Sequence, residues 1–107
     1  MDLHLRRANL GPTEVLMITG EIDLATIPKL RGALLDMIVD APATTIAVDL
    51  DGVTACDDMG FGVLLGAAGR AREADGDLVL VCTDDRLLAR IKRMRLDKAI
   101  TVRARIF

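Results

Sequence analysis

Residues 48–65 constrain the fold more than any other part of the chain, because they predict a strand, a loop and a helix in immediate succession. The apolar run that ends at Leu50 is typical of a strand buried on both faces. Residues 51–57 are rich in acidic and turn-forming types and predict a loop that turns at Gly52. An apolar segment interrupted by glycines begins at Asp58 and predicts a helix.

The same alternation runs through the whole chain and gives the order β-β-α-β-α-β-α-β. Turn residues at 10–13 predict a hairpin, so the first strand is antiparallel to the second, whereas strands joined through helices lie parallel. We therefore predict one α/β domain over residues 1–107, with a mixed sheet of four to five strands and helices packed mainly on one face. The predicted strands cover residues 3–6, 15–19, 44–50, 78–82 and 100–102. The predicted helices are capped by Thr26, by Asp57 or Asp58, and by Asp84 or Asp85, and the third turns Leu87, Leu88, Ile91 and Met94 inward.

Composition narrows the classes of function. Hydrophobic residues make up 51% of the chain but aromatic residues only 2%, which gives little support to stacking on nucleic-acid bases. The longest apolar run, residues 61–69, is too short to cross a bilayer, and Arg6 and Arg7 are not followed by the apolar stretch of a signal peptide. The two cysteines fit a reducing compartment. We expect a cytoplasmic protein that binds neither nucleic acid nor membranes.

Charge is distributed unevenly along the chain. Residues 1–85 contain 6 basic and 15 acidic side chains, a net charge of −9, and residues 86–107 contain 8 basic and 1 acidic side chain, a net charge of +7. One interpretation is that solvated faces simply differ in charge. The other is a dipolar surface that orients a protein partner.

Residues 57–60 and the strand before them resemble the signature of the STAS domains, the fold of the anti-sigma factor antagonists. In that family a strand and short loop lead to Asp-Ser-Ser-Gly or Asp-Ser-Ala-Gly at the start of a helix, and a partner kinase phosphorylates the first serine. Asp57 matches the aspartate of this pattern and Gly60 its glycine, but Asp58 stands at the phosphoserine position, and the chain contains no serine. A second family element, Gly-Glu-(Leu/Ile)-Asp after the second strand, is present as residues 20–23.

The resemblance implies a regulatory module without enzymatic activity or cofactor, a monomer or weak homodimer. Its partner would be an anti-sigma factor with a serine-kinase fold, and binding would control release of a sigma factor. The implied partner-binding residues are Asp23, Asp57, Asp58, Met59, Gly60 and Phe61. Phe61 has two interpretations, since an apolar residue here is either exposed beside the switch or part of the core.

Asp58 can be understood in two ways. A carboxylate at a helix start accepts hydrogen bonds from free N–H groups and meets a favourable dipole, so Asp57 or Asp58 is, in the simpler reading, an N-cap. The same geometry stabilises a phosphate, which would add roughly −1.5 to −2 charge where a carboxylate adds about −1. In this second reading Asp58 is a permanent but imperfect mimic of the phosphorylated state. Thr54 is the alternative phosphosite, unless its hydroxyl bonds nearby backbone.

Other candidate sites leave further alternatives. Cys56 and Cys82 are predicted at the carboxyl ends of neighbouring strands, either as a redox-sensitive pair or as two small buried side chains. His4 is the only histidine and lies on a predicted edge strand, so we expect no metal site and no Ser/His/Asp arrangement.

The second class of function is a receiver-like domain, in which acidic groups at strand ends hold Mg²⁺ and one aspartate is phosphorylated. The acidic residues that the predicted topology places near that edge are Glu21, Asp23, Asp51, Asp57, Asp58, Asp84 and Asp85. The predicted hairpin at the start of the chain argues against a receiver, which begins β-α-β.

Overall fold

The computed structural model describes residues 2–106 and has the predicted order of strands and helices. The elements are β1 (Leu3–Leu10), β2 (Thr13–Ile22), α1 (Ile27–Asp40), β3 (Thr45–Cys56), α2 (Asp58–Glu73), β4 (Asp77–Val81), α3 (Asp85–Arg93), a short 3₁₀ helix (Leu96–Lys98) and β5 (Thr101–Arg103). The fold class predicted from the sequence is therefore confirmed.

The five strands form one mixed sheet in the order β1-β2-β3-β4-β5. β1 is antiparallel to β2 and the other neighbours are parallel. Gly11 occupies the hairpin turn between β1 and β2 with φ +62°, a conformation that glycine adopts without strain. The parallel crossovers all step in one direction along the sheet, so right-handed connections place the three helices on the same face.

The main core fills the space between this helical layer and the sheet. Its largest fully buried side chains are Leu16, Ile18, Ile22, Leu30, Leu34, Met37, Ile46, Leu50, Phe61, Leu64, Leu78 and Leu80. A smaller buried cluster, Val15, Ala47, Val79 and Val81, lies on the opposite face of the sheet. The strands alternate between these two clusters, as side chains of period two require.

The predicted loop at 51–57 is wrong, because β3 continues as a strand to Cys56. β2 is longer as well and pairs with this extension, with Thr19 opposite Gly52 and Ile22 opposite Cys56. β4 ends at Val81, opposite Asp49, so the far edge of the extension has no strand beside it and tolerates polar residues. Gly52 is not a turn residue: a Cβ there would lie 2.6 Å from Thr19 Cγ2.

The third helix differs from prediction at its end. Asp84 caps it as predicted, since its carboxylate accepts hydrogen bonds from the backbone N–H groups of Arg86 and Leu87. The helix stops at Arg93, and Met94 follows as an exposed cap residue, so the prediction that Met94 turns inward is wrong. Of the helices within residues 2–106, none has the length and apolar character needed to cross a membrane.

Candidate functional site

The start of α2 is fixed to the end of β2 by backbone hydrogen bonds. Asp57 is the N-cap, with extended backbone, and its N–H donates to the carbonyl of Ile22 at 2.9 Å. The N–H of Gly60 then donates to the carbonyl of Asp57, also at 2.9 Å. Asp57 therefore occupies the capping position, but its carboxylate makes no capping hydrogen bond. Its side chain is exposed beside that of Asp58, the first helical residue.

Gly60 allows the first turn of α2 to lie directly on the sheet. A Cβ at this position would be 2.5 Å from Ile22 Cγ2 and 2.9 Å from Cys56 Sγ. Phe61, the next residue, is fully buried in the main core. The structure thus supports the core interpretation of Phe61, and the prediction that the side chain of Phe61 contacts a partner is wrong. Gly60 is buried too and supports the site through close packing.

The exposed carboxylate of Asp58 has a partner that the sequence did not indicate. Asp58 Oδ1 lies 2.8 Å from Arg90 Nη2, although 32 residues separate the two positions. Arg90 also donates a hydrogen bond from Nη1 to the carbonyl of Cys56, and its guanidinium carbon lies 4.8 Å from the centre of the Phe61 ring. The only signal for Arg90 in the sequence is its place in the basic segment 86–107.

Two exposed apolar side chains lie in the segments that meet at the start of α2. Met59 follows Asp58 at the start of α2 and is 57% exposed. Leu24, in the loop after β2, is 68% exposed. Their segments are joined by the hydrogen bond between Asp57 and Ile22. Exposed apolar side chains next to charged groups are typical of the surface of a protein interface. Met59 was expected from the sequence, whereas Leu24 was not.

Asp23 shapes the loop that carries Leu24. Its Oδ1 accepts a hydrogen bond from the N–H of Thr26 at 3.0 Å, and its own N–H donates to Thr26 Oγ1 at 2.9 Å. The Thr26 hydroxyl donates in turn to the carbonyl of Glu21 at 2.9 Å. This reciprocal arrangement fixes the entry into α1, where Thr26 is the N-cap as predicted. Asp23 is partly buried, and its carboxylate already has a structural role.

Thr54 lies on the exposed part of β3, not in a loop. Its hydroxyl donates to the carbonyl of Gly20 on the neighbouring strand at 3.2 Å. This bond to nearby backbone is the structural role that the sequence offered as one of two interpretations. The side chain is nevertheless exposed.

The two cysteines are buried, free and distant from each other. The last register pair of β3 and β4 is Asp49 with Val81, which places Cys82 level with Leu50. Cys56 lies six residues further along β3, about 20 Å at the rise of an extended strand. A disulfide needs Cα atoms within about 7 Å, so the interpretation as a redox pair is wrong.

Both thiols are held in the protonated form. Burial raises the pKa of Cys56 to about 11, and the positive charge of Arg90 opposes this shift only in part. Burial also raises the pKa of Cys82. A thiolate is the nucleophilic form of cysteine, so neither residue is activated for chemistry.

The acidic residues do not gather at one point, because β3 extends beyond β4. Asp51 accepts a hydrogen bond from the N–H of Thr83 at 2.6 Å, while Asp57 and Asp58 lie past the far end of β3. Within residues 2–106 no group of three or more His, Cys, Asp or Glu side chains has the geometry to hold a metal ion. The observed sheet order also contradicts the receiver-like alternative, in which the first strand lies inside the sheet in the order 2-1-3-4-5.

The outer face of α2 forms a groove with α1. The groove has a volume of about 350 Å³, and Met59, Arg31 and Arg70 are among its lining residues. A Cβ added at Gly62, Gly66 or Gly69 would meet no atom within 4 Å. Close packing on the sheet therefore explains Gly60 but not these three glycines.

Comparisons with known proteins give a consistent result. The family model described as "Mlab, STAS domain" matches residues 6–103. Two proteins named anti-sigma-B factor antagonist, from Listeria monocytogenes and Listeria innocua, are each 35% identical to the chain over 72 residues. Each match covers 67% of this chain and 62% of the relative, so the chain spans less than two thirds of these relatives' length.

Solved structures show the same fold at lower identity. An anti-sigma factor antagonist from Mycobacterium paratuberculosis superposes with a TM-score of 0.88 at 21% identity, covering 98% of this chain and 88% of that chain. The anti-sigma factor antagonist SpoIIAA in its unphosphorylated form superposes with a TM-score of 0.77 at 18% identity, covering 92% and 87%.

Proposed function

Because this chain belongs to the STAS domain family, we propose that it is an anti-sigma factor antagonist that works by binding and not by catalysis. Its partner is an anti-sigma factor with a serine-kinase fold, and binding controls the release of a sigma factor in the cytoplasm. Asp58 replaces the phosphoserine of the family, so that binding does not depend on phosphorylation at this position.

The observation that carries this proposal is the position of Asp58. It is the first residue of α2, and its side chain is 78% exposed at the helix start where the family places its phosphoserine. A carboxylate there carries about −1 charge at all times, whereas phosphorylation would add roughly −1.5 to −2. The exposed Met59 and Leu24 add apolar surface for a protein partner.

The hydrogen bonds and protonation states of the groups near Asp58 support binding over catalysis. The Thr54 hydroxyl donates to a backbone carbonyl, and the carboxylate of Asp23 organises the loop before α1. The pKa of Cys56 lies at about 11, so its thiol stays protonated near neutral pH. These three side chains stabilise the local backbone or the core, and they do not form a nucleophile activated by a neighbouring base.

A binding experiment tests the proposal. The chain is used as bait in a lysate of the source cells, and the captured anti-sigma factor is then purified and titrated by calorimetry. Met59→Asp should weaken binding at least 10-fold, because it places a charge in the proposed interface. Val39→Asp is the matched control, since Val39 is also exposed but lies at the other end of the helical layer, near the C-terminus of α1. Equal effects of the two substitutions, or no binding by the wild-type chain, would contradict the proposal.

Independence from phosphorylation has its own test. Incubation with the partner kinase and labelled ATP should leave the wild-type chain unlabelled at Asp58, because a Ser/Thr kinase transfers phosphate to a hydroxyl. Asp58→Ser restores the hydroxyl and should become labelled. Label on the wild-type chain that disappears in Thr54→Val would show that Thr54 is the phosphosite. Stable label on Asp58 itself would refute the proposal.

A further inference from the structure

Arg90 reaches across from α3 and makes three contacts at the start of α2. Its guanidinium pairs with Asp58 at 2.8 Å, donates to the carbonyl of Cys56 and lies 4.8 Å from the centre of the Phe61 ring. Its side chain is only 32% exposed, whereas that of Asp58 is 78% exposed. The charge of Arg90 therefore lies beneath the carboxylate that a partner would meet.

We propose that Arg90 is the internal counterion of position 58, so that Asp58 presents an ion pair to a partner and not a free negative charge. Arg90 is a positioning residue in this role, because it acts through Asp58 and need not contact the partner. The part of this proposal that concerns the partner rests on the proposed function, but the ion pair itself is a property of the free chain.

The other contacts of Arg90 favour this ion pair although it lies near the surface. Exposed ion pairs contribute little, mainly because two long side chains must be held in one geometry. Here the carbonyl of Cys56 and the ring of Phe61 hold the planar guanidinium whether or not Asp58 is present. Both anchors are buried, and the carbonyl belongs to the last residue of β3. The ordering of Arg90 is thus largely independent of the carboxylate.

The ion pair determines the net charge that position 58 and Arg90 present together. With Arg90 in place, position 58 and Arg90 together would carry about +1 with a serine, roughly −0.5 to −1 with a phosphoserine, and about 0 with the observed aspartate. The exposed carboxylate of Asp57 beside them is the same in all three cases. Asp58 is therefore not equivalent to a phosphoserine in this chain. It resembles the phosphorylated state only when Arg90 is removed, because only then is its charge uncompensated.

A double-mutant cycle in the free chain tests the ion pair. Urea unfolding is measured for the wild-type chain, Asp58→Asn, Arg90→Gln and the double variant. We expect a coupling of about 2- to 5-fold in the equilibrium constant of unfolding, decreasing at high salt. Additive effects, with no coupling at low salt, would overturn the proposal. This arm requires no partner and stands even if the proposed function fails.

The same variants are then titrated with the anti-sigma factor. Arg90→Gln should weaken binding about 10-fold in the Asp58 chain and less than 2-fold in the Asp58→Asn background, since only the former exposes a free charge. Arg90→Lys keeps the charge and should restore affinity to within about 3-fold of wild type. Equal losses in both backgrounds would mean that Arg90 contacts the partner directly, and tighter binding by Arg90→Gln would mean that the partner recognises the free carboxylate. Either result overturns the proposal.

Arg93→Gln is the matched control in both arms. It removes the same charge from the same helix, and Arg93 is exposed and forms no ion pair within residues 2–106. Its effect should be below 2-fold and independent of the residue at position 58. If the wild-type chain does not bind the anti-sigma factor at all, the proposed function fails, and the cycle in the free chain alone decides whether Arg90 neutralises Asp58.

Discussion

At Gly60 the helix α2 lies directly against the strands that position the site. Replacing it with alanine adds one methyl group 2.5 Å from Ile22 Cγ2 and 2.9 Å from Cys56 Sγ. Gly66 lies in the same helix, and a methyl group there meets nothing within 4 Å. The pair Gly60→Ala and Gly66→Ala therefore separates the effect of packing from the effect of helix propensity.

The expected magnitudes follow from these distances. Alanine stabilises a helix by about 1 kcal/mol relative to glycine, and Gly66→Ala should gain this amount in full. At Gly60 the new methyl group lies well inside the roughly 3.5–4.0 Å optimum for carbon atoms, and Ile22 is buried and branched at Cβ, so it cannot rotate away. Overpacking of this kind costs about 1–3 kcal/mol. With two overlaps the upper end applies, and Gly60→Ala should lose about 1–2 kcal/mol overall.

Urea unfolding followed by far-ultraviolet circular dichroism measures both variants, because the chain contains no tryptophan for fluorescence. The free energies of unfolding should differ by about 2–3 kcal/mol, with Gly66→Ala above wild type and Gly60→Ala below it. Gly62→Ala repeats the control next to the site, since its added methyl group also meets open space. If Gly60→Ala were as stable as Gly66→Ala, the close contact between α2 and the sheet would be wrong.

Three further predictions concern the switch position, a buried thiol and a strained turn. Asp58→Ser and Asp58→Ala should both tighten binding of the anti-sigma factor by roughly 1 kcal/mol in calorimetry. This is the low end of the range for one interfacial charge, because Arg90 already neutralises the carboxylate. Weaker binding by both variants would show that the partner recognises the carboxylate of Asp58. Burial raises the pKa of Cys56 from 9.0 to about 11, so the folded chain holds its proton where the unfolded chain has lost it. Stability should therefore fall by about 2 kcal/mol as pH rises from 9 to 11. Unfolding in this pH range should show a smaller loss for Cys56→Ala, and an equal loss would contradict the assignment. Arg95 follows the cap of α3 with φ +59°, where glycine is the usual residue, so Arg95→Gly should raise the free energy of unfolding by about 0.5–1 kcal/mol, whereas Met94→Gly, at φ −84°, should lower it.

Local sequence patterns were sufficient to locate most of the helices and strands. Apolar periodicity located all three helices and five strands, and the turn residues at 10–13 predicted the antiparallel hairpin. The pattern failed at residues 51–56, where acidic and small residues suggested a loop. Such residues occur in a strand when one edge is open to solvent, and whether an edge is open depends on where the neighbouring strand ends.

The site was predictable in position but not in its contacts. Asp57, Asp58 and Met59 lie exposed at the start of α2, where the sequence placed them. Phe61 is buried, because the absence of a Cβ at Gly60 brings the first turn of α2 onto Ile22. Phe61 lies in the first turn of α2, where too few residues precede it for periodicity to tell a side chain that faces the sheet from one that faces a partner.

The sequence alone determined the order of the elements, the family motif and the replacement of the phosphoserine by Asp58, since these depend on residues adjacent in the chain. The charge that position 58 presents depends on a contact that forms only in the folded chain. Arg90 lies 32 residues away on another helix. It reaches Asp58 because β3 extends beyond the end of β4 and brings the start of α2 beside α3. Electrostatic neutralisation depends on distance in space, and separation along the chain does not reveal it.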